Sequence, residues 1–96
     1  VKVLNKLKSD AKEYGYTMAE MVELGYHIDH IIPLCSYDYN LKEDIKHSFS
    51  PENHRWLMAK ENISKGSRLR PQDIEVIKTL PKEIYPQSWN GKIPTN

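Results

Sequence analysis

Apolar residues near the start of the chain recur at intervals of three and four, the spacing that places side chains on one face of an α-helix. They are Val3, Leu4, Leu7 and Ala11. This pattern predicts a short amphipathic helix over residues 1–13. Gly15 is expected to end that helix.

A second short helix is predicted to begin after Thr17. A threonine at the N-cap with a glutamate three residues later, here Glu20, is typical of a capping box. Gly25 is expected to end this helix. Its predicted apolar face, which we interpret as ordinary core packing, consists of Met18, Met21, Val22 and Leu24.

A β-strand is predicted over residues 26–34, because β-branched isoleucines favour extended structure and Pro33 suits the end of a strand. A long connection over residues 35–52 follows, with one or two helical turns over residues 41–47. A connection of this length in so short a chain is expected to be functional or to be ordered by its own contacts.

The second half of the chain is predicted to contain a strand over residues 54–58, a helix over residues 59–67 and a helix from Pro71 that ends before Pro81. The tail from residue 82 is expected to pack as an irregular strap. The apolar residues that should hold it are Ile84, Tyr85 and Trp89. Short strands combined with several short helices indicate an α+β fold.

The length of 96 residues predicts a single small domain over residues 1–96 with a modest core. Such domains often need a metal ion, a disulfide or a partner for stability. Cys35 is the only cysteine, so an internal disulfide and a four-cysteine zinc site are both excluded.

The net charge of +1 is too small to indicate nucleic-acid binding by itself. Two basic groups stand out locally. The first, on the N-terminal helix, is interpreted as a solvated face and consists of Lys2, Lys6, Lys8 and Lys12; the second consists of Arg55, Lys60, Lys65, Arg68 and Arg70. The longest apolar run is far below the roughly 20 residues that span a membrane, and no secretory signal is visible, so no membrane partner and an intracellular location are expected.

Candidate chemistry comes from the dipeptide Asp29-His30 and from Asn62 and Lys65 on the later helix. A carboxylate, an imidazole and a carboxamide are what a divalent metal ion and a general base need to hydrolyse a phosphodiester. Asp29 and Asn62 are predicted to bind one Mg²⁺ or Mn²⁺ through oxygen, and His30 is predicted to deprotonate water. Lys65 lies one turn after Asn62, which would place a cation near the bound phosphate.

The strings Asp-His-Ile-Ile-Pro and Asn-x-x-Lys-Gly resemble the HNH endonucleases, the ββα-metal superfamily, in the Asp-His…Asn…Asn subtype of phage and mobile-element nucleases. The resemblance covers residues 26–68 and leaves residues 1–25 and 69–96 as flanking helical segments. It implies a hairpin-helix core with Asp29 and Asn62 as metal ligands and His30 as the general base. It also implies that Asn53, in the second strand, orients that base.

As an HNH nuclease the chain is expected to cut DNA with Mg²⁺ or Mn²⁺ and to leave 5′-phosphate and 3′-hydroxyl ends. Lys65, Arg55 and Arg68 are the expected phosphate contacts. His27 and His54 are possible further site residues, because they lie close to Asp29 and Asn53 in the sequence.

Three alternatives stay open from the sequence. The same core could bind DNA without cutting it, or the substrate could be RNA. The domain could also be a structural zinc module of a larger assembly, with Cys35, His27, His47 and His54 as the available ligands. Because the first residue is Val1 rather than methionine, an additional specificity domain is expected elsewhere in the protein, and the oligomeric state stays open.

Overall fold

The computed structural model describes residues 1–94. The chain forms five α-helices and two strands over this range, in an α+β arrangement. In chain order they are α1 (Lys2–Tyr14), α2 (Met18–Glu23), β1 (Tyr26–His30), α3 (Lys42–Ser48), β2 (His54–Met58), α4 (Ala59–Lys65) and α5 (Pro71–Ile77). Short 3-10 turns lie at Leu34–Ser36, Pro51–Asn53, Lys82–Ile84 and Gln87–Trp89.

The first two helices begin and end where local sequence signals place them. Gly15 follows α1 in the left-handed conformation, with φ of +90°, which glycine adopts without steric strain. The capping box of α2 is present: the backbone N–H of Glu20 donates to Oγ1 of Thr17 at 3.2 Å, and that of Thr17 donates to Oε1 of Glu20 at 2.9 Å. Both predicted boundaries are confirmed.

The predicted apolar face of α2 is only half right. Met21 is buried and Met18 is partly buried, and both pack against α1. Val22 and Leu24 are 61% and 48% exposed. A helix of six residues buries one narrow stripe, and residues one turn apart such as Met18 and Met21 fill it.

The two strands form an antiparallel pair, and α4 follows β2 directly. The register places Tyr26 opposite Met58 and His30 opposite His54. The second strand spans the predicted residues. The first ends at His30, four residues before the predicted end, because the chain bends at Ile31 and Ile32 and turns into the C-terminal core.

The connection between the strands is ordered by its own contacts. Its helix α3 lies within one residue of the predicted turns. Asp44 on this helix is fully buried, and its carboxylate accepts from the backbone N–H of Asp38 at 2.8 Å and of Gln87 at 3.1 Å. One buried carboxylate therefore joins the connection to the C-terminal strap.

Two apolar clusters hold the fold. One packs α1 and α2 on β2 and consists of Leu7, Ala11, Met21 and Trp56. The other packs α5 and the strap on the end of β1 and consists of Ile31, Ile32, Tyr37, Ile77 and Tyr85. The predicted strap is confirmed over residues 82–94, and its last two residues lie outside the described range: Ile84 and Tyr85 are buried, and the rings of Tyr85 and Trp89 meet edge to face at 5.5 Å.

None of the helices in residues 1–94 combines the length and apolar character needed to cross a membrane. The first cluster contacts the strand pair through Trp56 and Tyr26, and the second begins directly after His30 with Ile31 and Ile32. The His30 end of the strand pair carries the residues singled out in the sequence.

Candidate active site

Asp29 lies one residue before the end of β1 and is only 4% exposed. Its carboxylate accepts from two cationic side chains: Oδ1 from Nζ of Lys65 at 2.9 Å and Oδ2 from Nε of Arg55 at 2.9 Å. Arg55 is its cross-strand partner in the register. A buried carboxylate is tolerable only with such compensation, because an isolated charge is strongly disfavoured away from water.

The side chain of Lys65 lies inside the protein, against the end of β1. Its side chain is 2% exposed, and Nζ donates to the Asp29 carboxylate and to the backbone oxygen of His30, the latter at 3.1 Å. Helix α4 packs against both strands, and the N–H of its first residue, Ala59, donates to the oxygen of Gly25, just before β1, at 2.9 Å. This packing directs the lysine at the last turn of α4 into the end of β1, rather than toward solvent.

Arg55 is also engaged inside the protein. Besides Asp29, its guanidinium donates from Nη2 to Oδ1 of Asp73 on α5 at 2.6 Å. Fully buried Asp73 accepts further bonds from Arg70, with Nε at 2.7 Å and Nη2 at 2.9 Å. Arg70 in turn contacts Glu61 at 3.1 Å. Arg55 is thus bonded to two carboxylates of the chain itself, and its role as a phosphate contact stays a prediction.

Asp73 is the residue that sequence reasoning missed. Burial would raise the pKa of Asp73, but hydrogen bonds from Arg70 and Arg55 outweigh it and hold the pKa at about 2. The one local signal was the Arg70-x-x-Asp73 spacing, which suits an ion pair at the start of a helix. Nothing in the local sequence indicated that Arg55 would join it.

His30 lies at the end of β1, half-buried, with its ring 4.8 Å from that of His54 in an edge-on arrangement. Burial lowers the pKa of His30, and nearby His54 and Lys65 lower it further, against the opposing effect of Asp29. His30 is therefore mainly neutral at pH 7 and free to accept a proton.

Of His27 and His54, the two possible further site residues, His54 lies beside His30. It is buried, and its Nδ1 lies 2.8 Å from the backbone oxygen of Ser50. Because a carbonyl only accepts, Nδ1 carries the proton in the neutral ring. His27 is exposed opposite Leu57, two residues before Asp29.

Asn53 is fully buried in the 3-10 turn that leads into β2, one residue before the strand in which the sequence analysis placed it, and it holds the backbone just beyond His30. Its Oδ1 accepts from the N–H of Ile32 at 2.6 Å, and its Nδ2 donates to the oxygen of Ile32 at 3.2 Å and of Ser48 at 3.4 Å. The side chain thus takes the place of a strand neighbour where β1 has ended. It joins the connection to the segment that carries His30.

Asn62 and Arg68 lie on or next to α4. Asn62 is half-buried, three residues before Lys65 on the same helix face. Arg68 is exposed and donates to the last carbonyls of α4, from Nη2 to Ser64 at 2.7 Å and from Nε to Lys65 at 3.3 Å. It borders a shallow cavity of about 480 Å³ that Ser36 and Arg70 also line.

The donor set suits a hard cation. The ammonium of Lys65 already lies between two oxygens, from the Asp29 carboxylate and the His30 backbone, so the site stabilises positive charge with oxygen. Mg²⁺ needs only one or two protein ligands of this kind and keeps several waters. Within residues 1–94, no group of three or more His, Cys, Asp or Glu side chains is placed to hold a metal.

Comparisons with known proteins add one relative. Uncharacterized protein L426 of Acanthamoeba polyphaga mimivirus is 40% identical over 55 residues, which is 57% of this chain and 24% of that protein. The chain therefore spans about a quarter of the length of this curated relative. No family model matches the chain. No solved structure matches it either.

Proposed function

We propose that this chain is the catalytic domain of a metal-dependent DNA endonuclease of the HNH type. One observation carries the proposal. A half-buried imidazole with a lowered pKa, His30, adjoins the buried carboxylate of Asp29, and the helix that carries Asn62 contacts the same strand end through Lys65. The order of two antiparallel strands followed by a helix agrees with the ββα core that the sequence resembles.

His30 is proposed as the general base. Its lowered pKa leaves the ring neutral at pH 7, so it can accept the proton of a water molecule that attacks phosphorus. Adjacent strand residues point to opposite faces, which would separate His30 from Asp29. Because β1 ends at His30, the His30 side chain need not follow that alternation. Asn53 supports this role by fixing the backbone two residues later.

Asp29 and Asn62 are the proposed metal ligands, with Mg²⁺ or Mn²⁺ as the ion. When bound, the ion supplies Lewis-acid stabilisation of the charge that develops on the phosphate and on the leaving 3′ oxygen. The products are then a 5′-phosphate and a 3′-hydroxyl. The buried ion network around Asp29 keeps the carboxylate in one orientation.

Arg68 is the best-placed phosphate contact of those predicted, because it is exposed while Arg55 and Lys65 are engaged internally. Contacts to phosphate contribute affinity that falls with salt concentration and do not select a sequence. They also do not separate DNA from RNA, which requires recognition of the 2′-hydroxyl. RNA duplexes therefore belong among the substrates tested.

A DNA-binding module without catalytic activity is the second candidate, and one observation favours it. Both oxygens of Asp29 already accept from cations of the chain itself. In such a module the Asp29 cluster would serve only to hold the two strands and α4 together.

Nicking of a supercoiled plasmid tests the choice. The chain should relax the plasmid with Mg²⁺ or Mn²⁺ and should be inactive in EDTA, and labelled ends should carry 5′-phosphate. His30→Ala should abolish relaxation while plasmid binding persists. A wild-type chain that binds the plasmid but leaves it supercoiled with every metal would support the binding module instead.

A further inference from the structure

The ion network around Asp29 is balanced without any bound ion. It joins three carboxylates to three cationic side chains, namely Asp29, Asp73 and Glu61 to Lys65, Arg55 and Arg70. A divalent ion added at Asp29 would leave two uncompensated positive charges in a mostly buried cluster. Charges so placed repel strongly, because the surroundings screen them poorly.

Lys65 is the cation of this network that can leave. Arg55 is shared between Asp29 and Asp73, and its planar guanidinium is fixed by both. The ammonium of Lys65 is bonded to Asp29 and to a neutral backbone oxygen, at the end of a flexible four-carbon stem. Its displacement from Oδ1 exposes the oxygen that a metal ion would use.

Taking the proposed function as its basis, we propose that Lys65 and the divalent metal ion compete for the Asp29 carboxylate, and that a phosphate of the nucleic acid accepts the displaced ammonium. A displaced ammonium needs a new anionic partner, because a buried charge without one is strongly destabilising. The phosphate supplies that partner. Metal and nucleic acid therefore bind with positive cooperativity, and each raises the affinity for the other by the same factor.

This assignment accounts for two properties of Lys65 at once. In the free protein the ammonium of Lys65 pairs with the buried carboxylate of Asp29 and so bonds α4 to the end of β1. In the loaded protein it reaches the phosphate, the position that its spacing from Asn62 indicates. It makes Lys65 a positioning residue that links occupancy of the metal site to occupancy of the substrate site.

Calorimetric titration of Mn²⁺ into the free protein tests the competition. Lys65→Gln removes the competing charge and should raise the Mn²⁺ affinity by about fivefold or more. Lys60→Gln is the matched control, since Lys60 is exposed on the same helix and removes one charge without touching Asp29. Equal affinities in the two variants, or weaker binding in Lys65→Gln, would overturn the competition.

A second titration tests the cooperativity, with His30→Ala added to every protein so that a duplex oligonucleotide stays intact. The duplex should raise the Mn²⁺ affinity of the Lys65 protein by about fivefold to 100-fold and should raise that of Lys65→Gln much less. Circular dichroism checks folding. If Lys65→Gln does not fold, the titration of the His30→Ala protein that retains Lys65 is the test. A Mn²⁺ affinity that the duplex leaves unchanged in this protein would overturn the proposal.

These readouts are separate from cleavage. Competition without plasmid nicking would leave the role of Lys65 standing and would refute the nuclease. Plasmid nicking with equal Mn²⁺ affinities for Lys65→Gln and Lys60→Gln would support the nuclease and would refute the competition.

Discussion

Nη2 of Arg55 on β2 lies 2.6 Å from Oδ1 of the fully buried Asp73 on α5. The same guanidinium holds the carboxylate of Asp29. Helix α5 lies outside the segment that resembles a nuclease motif, yet through this arginine it helps to orient a residue of the candidate site. The flanking helix is thus part of the support of that site.

Asp73→Asn should therefore destabilise the protein strongly. The change leaves Arg55 and Arg70 with a neutral partner, and loss of one member of a buried charge cluster typically costs about 3 to 5 kcal/mol. Urea denaturation measures the loss. Glu75→Gln on the exposed side of α5 is the control, with an expected change within about 0.5 kcal/mol. Equal losses in the two variants would contradict a special role for Asp73.

Acid should weaken the fold through the same carboxylate. The pKa of Asp73 is about 2 in the folded protein and 3.8 as a free side chain. The unfolded chain thus takes up a proton first as the pH falls. The stabilisation is complete above about pH 4 and is lost toward about pH 2, with a size of about 2 kcal/mol. Denaturation of wild type and Asp73→Asn at pH 5, 3.5 and 2.5 should show curves that converge in acid, and parallel curves would refute this.

His30→Ala should lower the cleavage rate by about 10² to 10⁴-fold, the usual contribution of a general base, with little effect on folding or DNA binding. In the wild type, burial and the neighbouring His54 and Lys65 lower the pKa of His30 from 6.5. The rate should therefore rise with pH through a midpoint below 6.5. Activity of the variant within a few-fold of wild type would indicate a different base, such as exposed His27.

Asn53→Ala should reduce activity through geometry and should also cost stability. It leaves the backbone N–H and oxygen of Ile32 without their partner, and each unpaired buried group costs about 1 to 3 kcal/mol. Cleavage by the folded fraction should drop on the order of 10²-fold, because His30 loses its fixed position. Mn²⁺ affinity should change little. Asn40→Ala on the exposed part of the same connection is the control, and lost Mn²⁺ binding in Asn53→Ala would make Asn53 a ligand.

Asn62→Ala tests the metal site with the least disturbance, since Asn62 is half-buried and outside the ion network. Its loss should weaken Mn²⁺ binding at least about tenfold, as changes even to residues that only support a ligand do. Ser64→Ala, on the exposed side of α4, should bind Mn²⁺ as wild type does. A crystal soaked in Mn²⁺ that shows the ion on Cys35 and histidines would overturn the oxygen site altogether.

The sequence by itself determined the elements whose signals act over a few neighbouring residues. Gly15 ends α1, Thr17 and Glu20 cap α2, and the second strand and the turns of α3 lie close to their predicted positions. Each depends on backbone conformation or on hydrogen bonds within one helical turn, so local spacing is sufficient information.

Tertiary structure decided the end of β1 and the partners of the charged residues. The isoleucines after His30 favour a strand, but the core and the Asn53 carboxamide, 21 residues beyond Ile32, turn the chain away. Lys65 bonds Asp29, which lies 36 residues earlier in the sequence. Arg55 bonds Asp73, which lies 18 residues later in the sequence. The partner of a buried charge is the opposite charge that the folded chain places beside it. The spacing of nearby residues in the sequence does not indicate which one that is.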